Sequence, residues 1–153
     1  MNTYTMNGVK VIRDYNKNTL DWEDAFSNLN DSISNDEIVK MNKGFFVAHN
    51  AQRIEKVQPV LSDLNCLAAH IYICINISND GFGMHVDNDD VWFWQNKGKS
   101  HWHFKNNDNY ELNEGDLIYV PKGIYHCVLS PEARFGVSMS KEYVSAWMFS
   151  III

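Results

Sequence analysis

From Leu67 onward, hydrophobic positions along the chain follow the pattern of a β-protein. Residues 71–77 form a β-branched, almost continuously apolar run, and further short apolar stretches follow at intervals of roughly ten residues. Turn signals separate these stretches: Asn79-Asp80-Gly81, Asn96-Lys97-Gly98, Asn106-Asn107-Asp108-Asn109, Glu114-Gly115-Asp116, Pro121-Lys122-Gly123 and Ser130-Pro131. This rhythm is typical of an all-β sandwich or barrel.

The N-terminal third has a more helical pattern. A short amphipathic helix is predicted after Asp21, with Trp22, Phe26 and Leu29 on one face. A capping-box match at Ser34 predicts a second helix to about residue 42. A third is expected over residues 50–57, which either ends at Pro59 or continues through Leu61 and Leu64 after a kink, and short strands are expected at 8–13 and 45–48. We therefore expect one domain, 1–153, with a helical part (1–66) packed against a β-barrel core (67–150).

Composition narrows the functional classes. The chain has 153 residues and a formal net charge of −6, which argues against a general nucleic-acid binder because it does not complement phosphate. Three cysteines without a CxxC pair favour a reducing cytoplasm, and no apolar stretch reaches the roughly 20 residues of a membrane span. The apolar ending AWMFSIII is expected to form a last core strand or to support a homodimer.

Three residues carry the strongest chemical signal. His85 and Asp87 are two positions apart, so in a strand both side chains point to the same face. His126 follows the turn Pro121-Lys122-Gly123 and comes from a second strand. Two histidines and one carboxylate on one side of a metal leave its other side open, and this set favours Fe(II) and oxygen chemistry.

The spacing of this region resembles the cupin superfamily. The run Gly115-x5-Pro121-x-Gly123-x2-His126 fits the second cupin motif without a gap. In the first motif, His85-x-Asp87 stands in for the usual His pair, Gly98 is the closing glycine, and Val91 replaces the usual Glu. The set is similar to the His-x-Asp…His triad of the 2-oxoglutarate oxygenases, and above all to their JmjC-type branch, which includes the bacterial ribosomal oxygenases.

The resemblance covers most of the chain, with residues 67–140 as its core, and implies a double-stranded β-helix that carries N-terminal helices. It also implies an Fe(II)- and 2-oxoglutarate-dependent hydroxylase in which His85, Asp87 and His126 bind the metal. The substrate would be a protein side chain, a peptide or a small molecule. We expect no counterpart of the C-terminal region that ribosomal oxygenases use for dimerisation and substrate contact.

The residues expected to bind the co-substrate match the family pattern less well than the expected metal ligands do. Members of this branch carry a Lys or Arg two residues after the glycine that Gly98 matches, but this chain has Ser100 there, next to Lys99. Other 2-oxoglutarate oxygenases use an Arg after the third metal ligand, followed two residues later by Ser; Arg134 matches the Arg, but Gly136 replaces the Ser. Lys99, Ser100 and Arg134 are therefore the candidates for the far carboxylate of 2-oxoglutarate.

Several alternatives stay open at this point. The chain could be a metal-dependent cupin that does not use 2-oxoglutarate, such as another dioxygenase or an isomerase, or a cupin that binds a small molecule without catalysis. His101 and His103 could form a second metal site, although a polar strand face explains them as well. Tyr72 and Asn76 share strand parity and could line the cavity.

Overall fold

The fold consists of two antiparallel sheets that share an apolar interior. The computed structural model describes residues 3–76 and 83–141, so the predicted turn at 79–81 and the apolar C-terminal run lie outside the described residues. The strands are β1 (Thr3–Met6), β2 (Val9–Ile12), β3 (Val39–Asn42), β4 (Phe45–Ala48), β5 (Ala68–Cys74), β6 (Val91–Lys97), β7 (Ser100–Phe104), β8 (Asn109–Leu112), β9 (Leu117–Val120), β10 (His126–Leu129) and β11 (Arg134–Ser140).

The larger sheet has eight strands in the order β1-β2-β9-β6-β11-β5-β4-β3, and the smaller has the order β10-β7-β8. Consecutive strands alternate between the sheets at several points, as in a jelly roll. The expected double-stranded β-helix of the cupin type is therefore confirmed. The N-terminal part, expected to be mainly helical, also supplies β1 and β2 at one edge of the larger sheet and β3 and β4 at the other.

Two helices cover the outer face of the larger sheet: α1 (Trp22–Ser34) and α2 (Gln58–Leu64). Asp21 caps α1 in a capping box, because its carboxylate accepts from the Asp24 amide and the Asp24 carboxylate accepts from the Asp21 amide. The helix expected after Asp21 is thus confirmed and is longer than its apolar pattern suggested. Within the described ranges, no helix combines the length and hydrophobicity that crossing a membrane would need.

The helix predicted from Ser34 to about residue 42 is wrong, because Ser34 ends α1 and the chain continues into β3. Asp36 adopts a left-handed conformation with φ 58°, which is incompatible with continuing the helix. Lys43 and Gly44, with φ 50° and 83°, then form a tight turn that joins β3 to β4. Hairpin pairing with β4 therefore overrides the local capping signal.

Residues 50–57 also differ from the expected single helix. Asn50 has φ 61° and makes no side-chain capping bond. Two short 3₁₀ turns, Ala51–Arg53 and Glu55–Val57, lead into α2 instead. Pro59 lies in the first turn of α2, where its missing N–H costs no helical hydrogen bond.

Alternation along β6 separates two apolar clusters. Trp92 and Trp94 face the helices, whereas Phe93 faces the space between the sheets. The helix-side cluster includes Leu29, Ile71 and Phe135. The cluster between the sheets is formed by Val9, Val11, Phe93, Trp102, Phe104, Leu112, Ile118 and Val120. Trp102 and Phe104 place this second cluster directly beside the candidate site.

Candidate metal centre

A short backbone pairing joins the His85 segment to β10. The amide of His85 donates to the carbonyl of His126 at 2.9 Å, and the amide of His126 donates to the carbonyl of His85 at 2.9 Å. The amide of Gly123 donates to the Asp87 carbonyl at 3.4 Å. Backbone bonds therefore fix both motifs relative to each other, independently of any bound ion.

The three side chains predicted to bind a metal converge. Asp87 Oδ2 lies 3.4 Å from His126 Nε2, and Asp87 Oδ1 lies 3.8 Å from His85 Nε2. One donor atom from each residue lies within 4.8 Å of the other two. Within the described residues, this is the sole cluster of three or more His, Cys, Asp or Glu side chains with such geometry.

Backbone carbonyls set the orientation of both imidazoles. His85 Nδ1 lies 2.6 Å from the carbonyl of Gly83, and His126 Nδ1 lies 2.9 Å from the carbonyl of Ile124. A carbonyl only accepts hydrogen bonds, so Nδ1 carries the proton in each ring. This tautomer turns the Nε2 lone pair toward Asp87, and such outer hydrogen bonds are typical of metal-ligating histidines.

Burial keeps the His126 ring in the form that ligates metals. Its side chain is 3% exposed, and desolvation lowers the pKa of the His126 imidazole below its ordinary value, although the Asp87 carboxylate acts in the opposite direction. A neutral ring presents the Nε2 lone pair rather than a proton. Metal binding to histidine requires this neutral form.

The resulting donor set fits a cation. With Nδ1 protonated and the ring neutral, His126 Nε2 and Asp87 Oδ2 are both electron-pair donors, yet they lie 3.4 Å apart. Two such atoms repel each other unless a positive charge lies between them. Two imidazole nitrogens and one carboxylate oxygen are the facial set of non-haem Fe(II) sites, so His85, Asp87 and His126 are suited to hold such an ion.

A cleft of about 480 Å³, its mouth included, surrounds the three side chains. Most of its lining surface is apolar, although several of its side chains carry polar groups. The lining residues are Phe45, Tyr72, His85, Asp87, Val91, Phe93, Trp102, His126, Val128, Arg134 and Ser138. A mostly apolar cleft with a few convergent polar groups is the usual form of a small-molecule site.

Arg134 is the cation of this cleft. It begins β11, is 2% exposed, and its Nε donates to Ser130 Oγ at 2.6 Å. Within the described residues, its Nη1 and Nη2 groups form no hydrogen bond or ion pair with another side chain. Burial lowers the pKa of Arg134 to about 10, so the guanidinium stays charged at neutral pH. A buried cation without an anionic protein partner is costly, and an anionic ligand in the cleft would offset that cost.

Lys99 and Ser100, two of the three residues predicted to bind the co-substrate, do not line the cleft. Lys99 Nζ lies 3.6 Å from Glu111 Oε1, and its side chain is half exposed. Ser100 faces inward, but its hydroxyl donates to Gln95 Oε1 at 2.7 Å and accepts from Trp102 Nε1 at 2.9 Å. Of the three candidates, the structure brings Arg134 alone to the three predicted metal ligands.

Of the other residues singled out in the sequence, Tyr72 lines the cleft, whereas Asn76 and His101 do not. Burial together with the Asp87 charge raises the pKa of the Tyr72 phenol above the usual value. The Asn76 side chain instead donates to the Lys43 carbonyl at 2.9 Å. His101 Nε2 lies 2.7 Å from Glu111 Oε2, outside the cleft, which supports a polar strand face rather than a second metal site.

Sequence reasoning missed Trp102 as a part of the site. This side chain lines the cleft, and its ring stacks on that of His126 with centroids 5.6 Å apart and planes inclined by 21°. Strand parity could have found it, because Trp102 shares a face with Ser100 and Phe104 while His101 and His103 point the other way. His101 and His103, which were considered as a second metal site, lie on the face of β7 opposite to Trp102.

Sequence comparison identifies no relative: the chain matches no protein-family model and no curated protein sequence. Structure comparison does find similar folds. YcfD, a ribosomal oxygenase from Escherichia coli, matches with a TM-score of 0.66 at 15% identity, over 94% of this chain and 50% of that one. The chain therefore spans about half the length of that oxygenase.

Two further structures support the same fold. YcfD in complex with cobalt and 2-oxoglutarate matches with a TM-score of 0.55 at 16% identity, over 71% of this chain and 35% of that one. A cupin superfamily protein from Desulfitobacterium hafniense matches with a TM-score of 0.51 at 10% identity, over 69% of this chain and 84% of that one. At these identities the similarity establishes the cupin fold and leaves the reaction to the site itself.

Proposed function

We propose that this protein is an Fe(II)- and 2-oxoglutarate-dependent oxygenase that hydroxylates a protein side chain or a small molecule. One observation carries the proposal: three convergent potential metal ligands and a buried guanidinium, which has no anionic side-chain partner among the described residues, line the same apolar cleft. The fold supports it, because a similar structure, that of YcfD, was solved with cobalt and 2-oxoglutarate. The metal and the diacid would occupy the two charged parts of the cleft.

Each side chain has a defined task in this proposal. His85, Asp87 and His126 would hold the ion from one side and leave positions open toward the cleft. Bound together, Fe(II) and 2-oxoglutarate would supply oxidative C–H chemistry with dioxygen as the oxidant: the diacid would lose CO2 and take one oxygen atom to become succinate, and the substrate C–H bond would take the other. Arg134 would pair with the far carboxylate of 2-oxoglutarate through a two-pronged hydrogen bond. Phe45, Phe93 and Val91 would keep water away from the reacting groups.

The first test is anaerobic titration of the metal-free protein with Fe(II) and then with 2-oxoglutarate. The visible metal-to-ligand charge-transfer band of the chelate should form in wild type. It should be absent in His126→Ala, because that variant loses a ligand. His103→Ala is the matched control: it removes a histidine from the same sheet, on the face away from the cleft, and should leave the band unchanged.

A second pair of variants tests the co-substrate site. Arg134→Met should raise the concentration of 2-oxoglutarate needed for half of the band by about 100-fold, which corresponds to the 2–3 kcal/mol of a charge-assisted bond. Lys99→Met removes a cation that lies on Glu111 and should have little effect. The reverse pattern would place the diacid at β7 and contradict the assignment to Arg134.

The main competing function is a metal cupin that does not use 2-oxoglutarate, and Ser100 is the observation that favours it. If iron binds stoichiometrically but no band forms with millimolar 2-oxoglutarate, this second function replaces the first. If Fe(II) does not bind at all, the non-catalytic small-molecule-binding cupin becomes the better explanation. The three outcomes are distinct in a single experiment.

A further inference from the structure

Ser100 begins a buried chain of hydrogen bonds that ends on the aromatic ring beside the candidate metal. Gln95 Nε2 donates to the carbonyls of Lys97 and Gly98 at 2.9 and 3.2 Å. Gln95 Oε1 accepts from Ser100 Oγ at 2.7 Å, and Ser100 Oγ accepts from Trp102 Nε1 at 2.9 Å. Gln95 and Ser100 are both fully buried, so water does not compete for these bonds.

This chain fixes the indole of Trp102 in one orientation. A tryptophan N–H that is buried needs an acceptor, and Ser100 is the acceptor here. Phe93 packs on the same indole with ring centroids 5.2 Å apart. Backbone carbonyls of the β6–β7 turn anchor the far end, because Gln95 binds two of them.

The fixed indole in turn contacts a predicted metal ligand. Its ring lies nearly parallel to the His126 imidazole at 5.6 Å, which is the offset-stacked arrangement. The Ile124 carbonyl holds one edge of that imidazole, and Trp102 covers one of its faces. Neither contact alone prevents the ring from rotating or tilting, whereas the two together define both its direction and its plane.

We propose that Trp102 is a positioning residue that sets the plane of the His126 imidazole toward the metal, and that Ser100 and Gln95 act through it. The inference rests on the proposed metal site. It also assigns a role to Ser100: the position that carries a co-substrate Lys or Arg in the resembling branch serves ligand positioning in this chain. The co-substrate cation would then come from Arg134 at the start of β11.

Cobalt(II) is the probe for the test, because its visible d–d bands report the positions of its ligands. In Trp102→Phe, which keeps an aromatic ring but loses the anchoring N–H, we expect the Kd for Co(II) to rise about tenfold and the d–d bands to shift. Ser100→Ala leaves the cleft wall in place and removes the anchor. It should change the spectrum in the same direction, with a rise in Kd of about threefold to tenfold.

Trp92→Phe is the matched control, because Trp92 packs on Tyr119 outside the cleft, so its spectrum should equal that of wild type. A purely structural role for Trp102 would lower the melting temperature while leaving the Co(II) spectrum and Kd of the folded protein unchanged, and that result would overturn the inference. Should Trp102→Phe fold poorly, Ser100→Ala decides the question. Failure of wild type to bind Co(II) would overturn the metal site itself, and this inference with it.

Discussion

At the scale of single residues, burial changes the pKa of several histidine rings. His49, His70 and His126 are all buried, and for each of them burial lowers the pKa of the ring. A ring kept neutral at physiological pH can bind a metal, as proposed for His126. His70 packs edge-on against His49 at 4.7 Å, and its burial has a consequence for stability.

Acidification should destabilise the protein through His70. Burial, followed by the nearby His49, lowers the pKa of His70 to about 3, whereas an unfolded histidine has a pKa of about 6.5. Below pH 6.5 the unfolded chain therefore binds a proton that the folded chain does not, and stability falls as the pH falls. The loss is about 1.4 kcal/mol per pH unit at most.

Urea denaturation of the metal-free protein at pH 7.5 and pH 5.0 measures this effect. The wild type should lose about 2 kcal/mol between these values from His70 alone, and His70→Gln should lose correspondingly less. His101→Gln, which alters an exposed ring beside Glu111, should behave like wild type. Two charged side chains act on the pKa of the neighbouring His49: Glu37 raises it and Lys40 lowers it. Carboxylates such as Glu37 titrate mainly below pH 5, so they contribute little between the two pH values. An equal loss in His70→Gln would show that His70 is not the source.

At the scale of elements, close packing between β6 and β11 restricts which side chain can stand at position 136, beside Phe93 in the cleft wall. Gly136 lies on β11 against the ring of Phe93, and a Cβ at Gly136 would meet Phe93 Cζ at 2.3 Å and the Trp94 carbonyl oxygen at 2.8 Å. The resemblance to 2-oxoglutarate oxygenases implies a Ser at this position, two residues after Arg134. Here the ring of Phe93 fills the space that a serine side chain would need.

Gly136→Ala should therefore destabilise the protein by about 1–3 kcal/mol, the usual cost of overpacking a core. Phe93→Leu frees space beside the glycine, so the double variant should be more stable than the sum of the two single changes predicts. Thermal denaturation of all four proteins in a double-mutant cycle measures the coupling. Simple additivity would mean that Phe93 is not the group that restricts position 136.

At the scale of the whole molecule, the candidate site joins parts of the chain that are distant in sequence. His85 and Asp87 come from a segment attached by one backbone bridge, His126 from the smaller sheet and Arg134 from the larger one. An ion bound by the triad would add bonds between the bridged segment and β10. Because these bonds exist only in the folded state, binding should stabilise the whole domain.

Addition of Co(II) at 100 times its Kd should stabilise the protein by about 2.7 kcal/mol and raise the melting temperature by roughly 5–10 °C for a chain of this length. Chelation by EDTA should reverse the increase. Asp87→Ala should show no shift, and His101→Ala should retain the full one, since His101 lies outside the cleft. A shift that persists in Asp87→Ala would place the ion elsewhere.

The sequence alone was sufficient to predict the β-barrel, the strand from Phe45 to Ala48 and the grouping of His85, Asp87 and His126. These features depend on local information: alternation determines which side chains share a face, and Gly, Pro and Asn mark the turns. His85 and Asp87 are neighbours on one face at any register of the surrounding sheet. The turn before His126 similarly depends on the residues next to it.

Only the tertiary structure decided how distant segments meet. It brought Arg134 to the cleft and left Lys99 and Ser100 outside it, placed Trp102 on His126, and turned residues 39–42 into an edge strand where a capping signal favoured a helix. Trp102 reaches His126 through the pairing of β7 with β10, which are far apart in the chain. Residues 39–42 become a strand by hairpin pairing with β4, which itself pairs with the distant β5. Local propensity is worth less than about 1 kcal/mol per residue, so the burial and pairing of whole strands outweigh it.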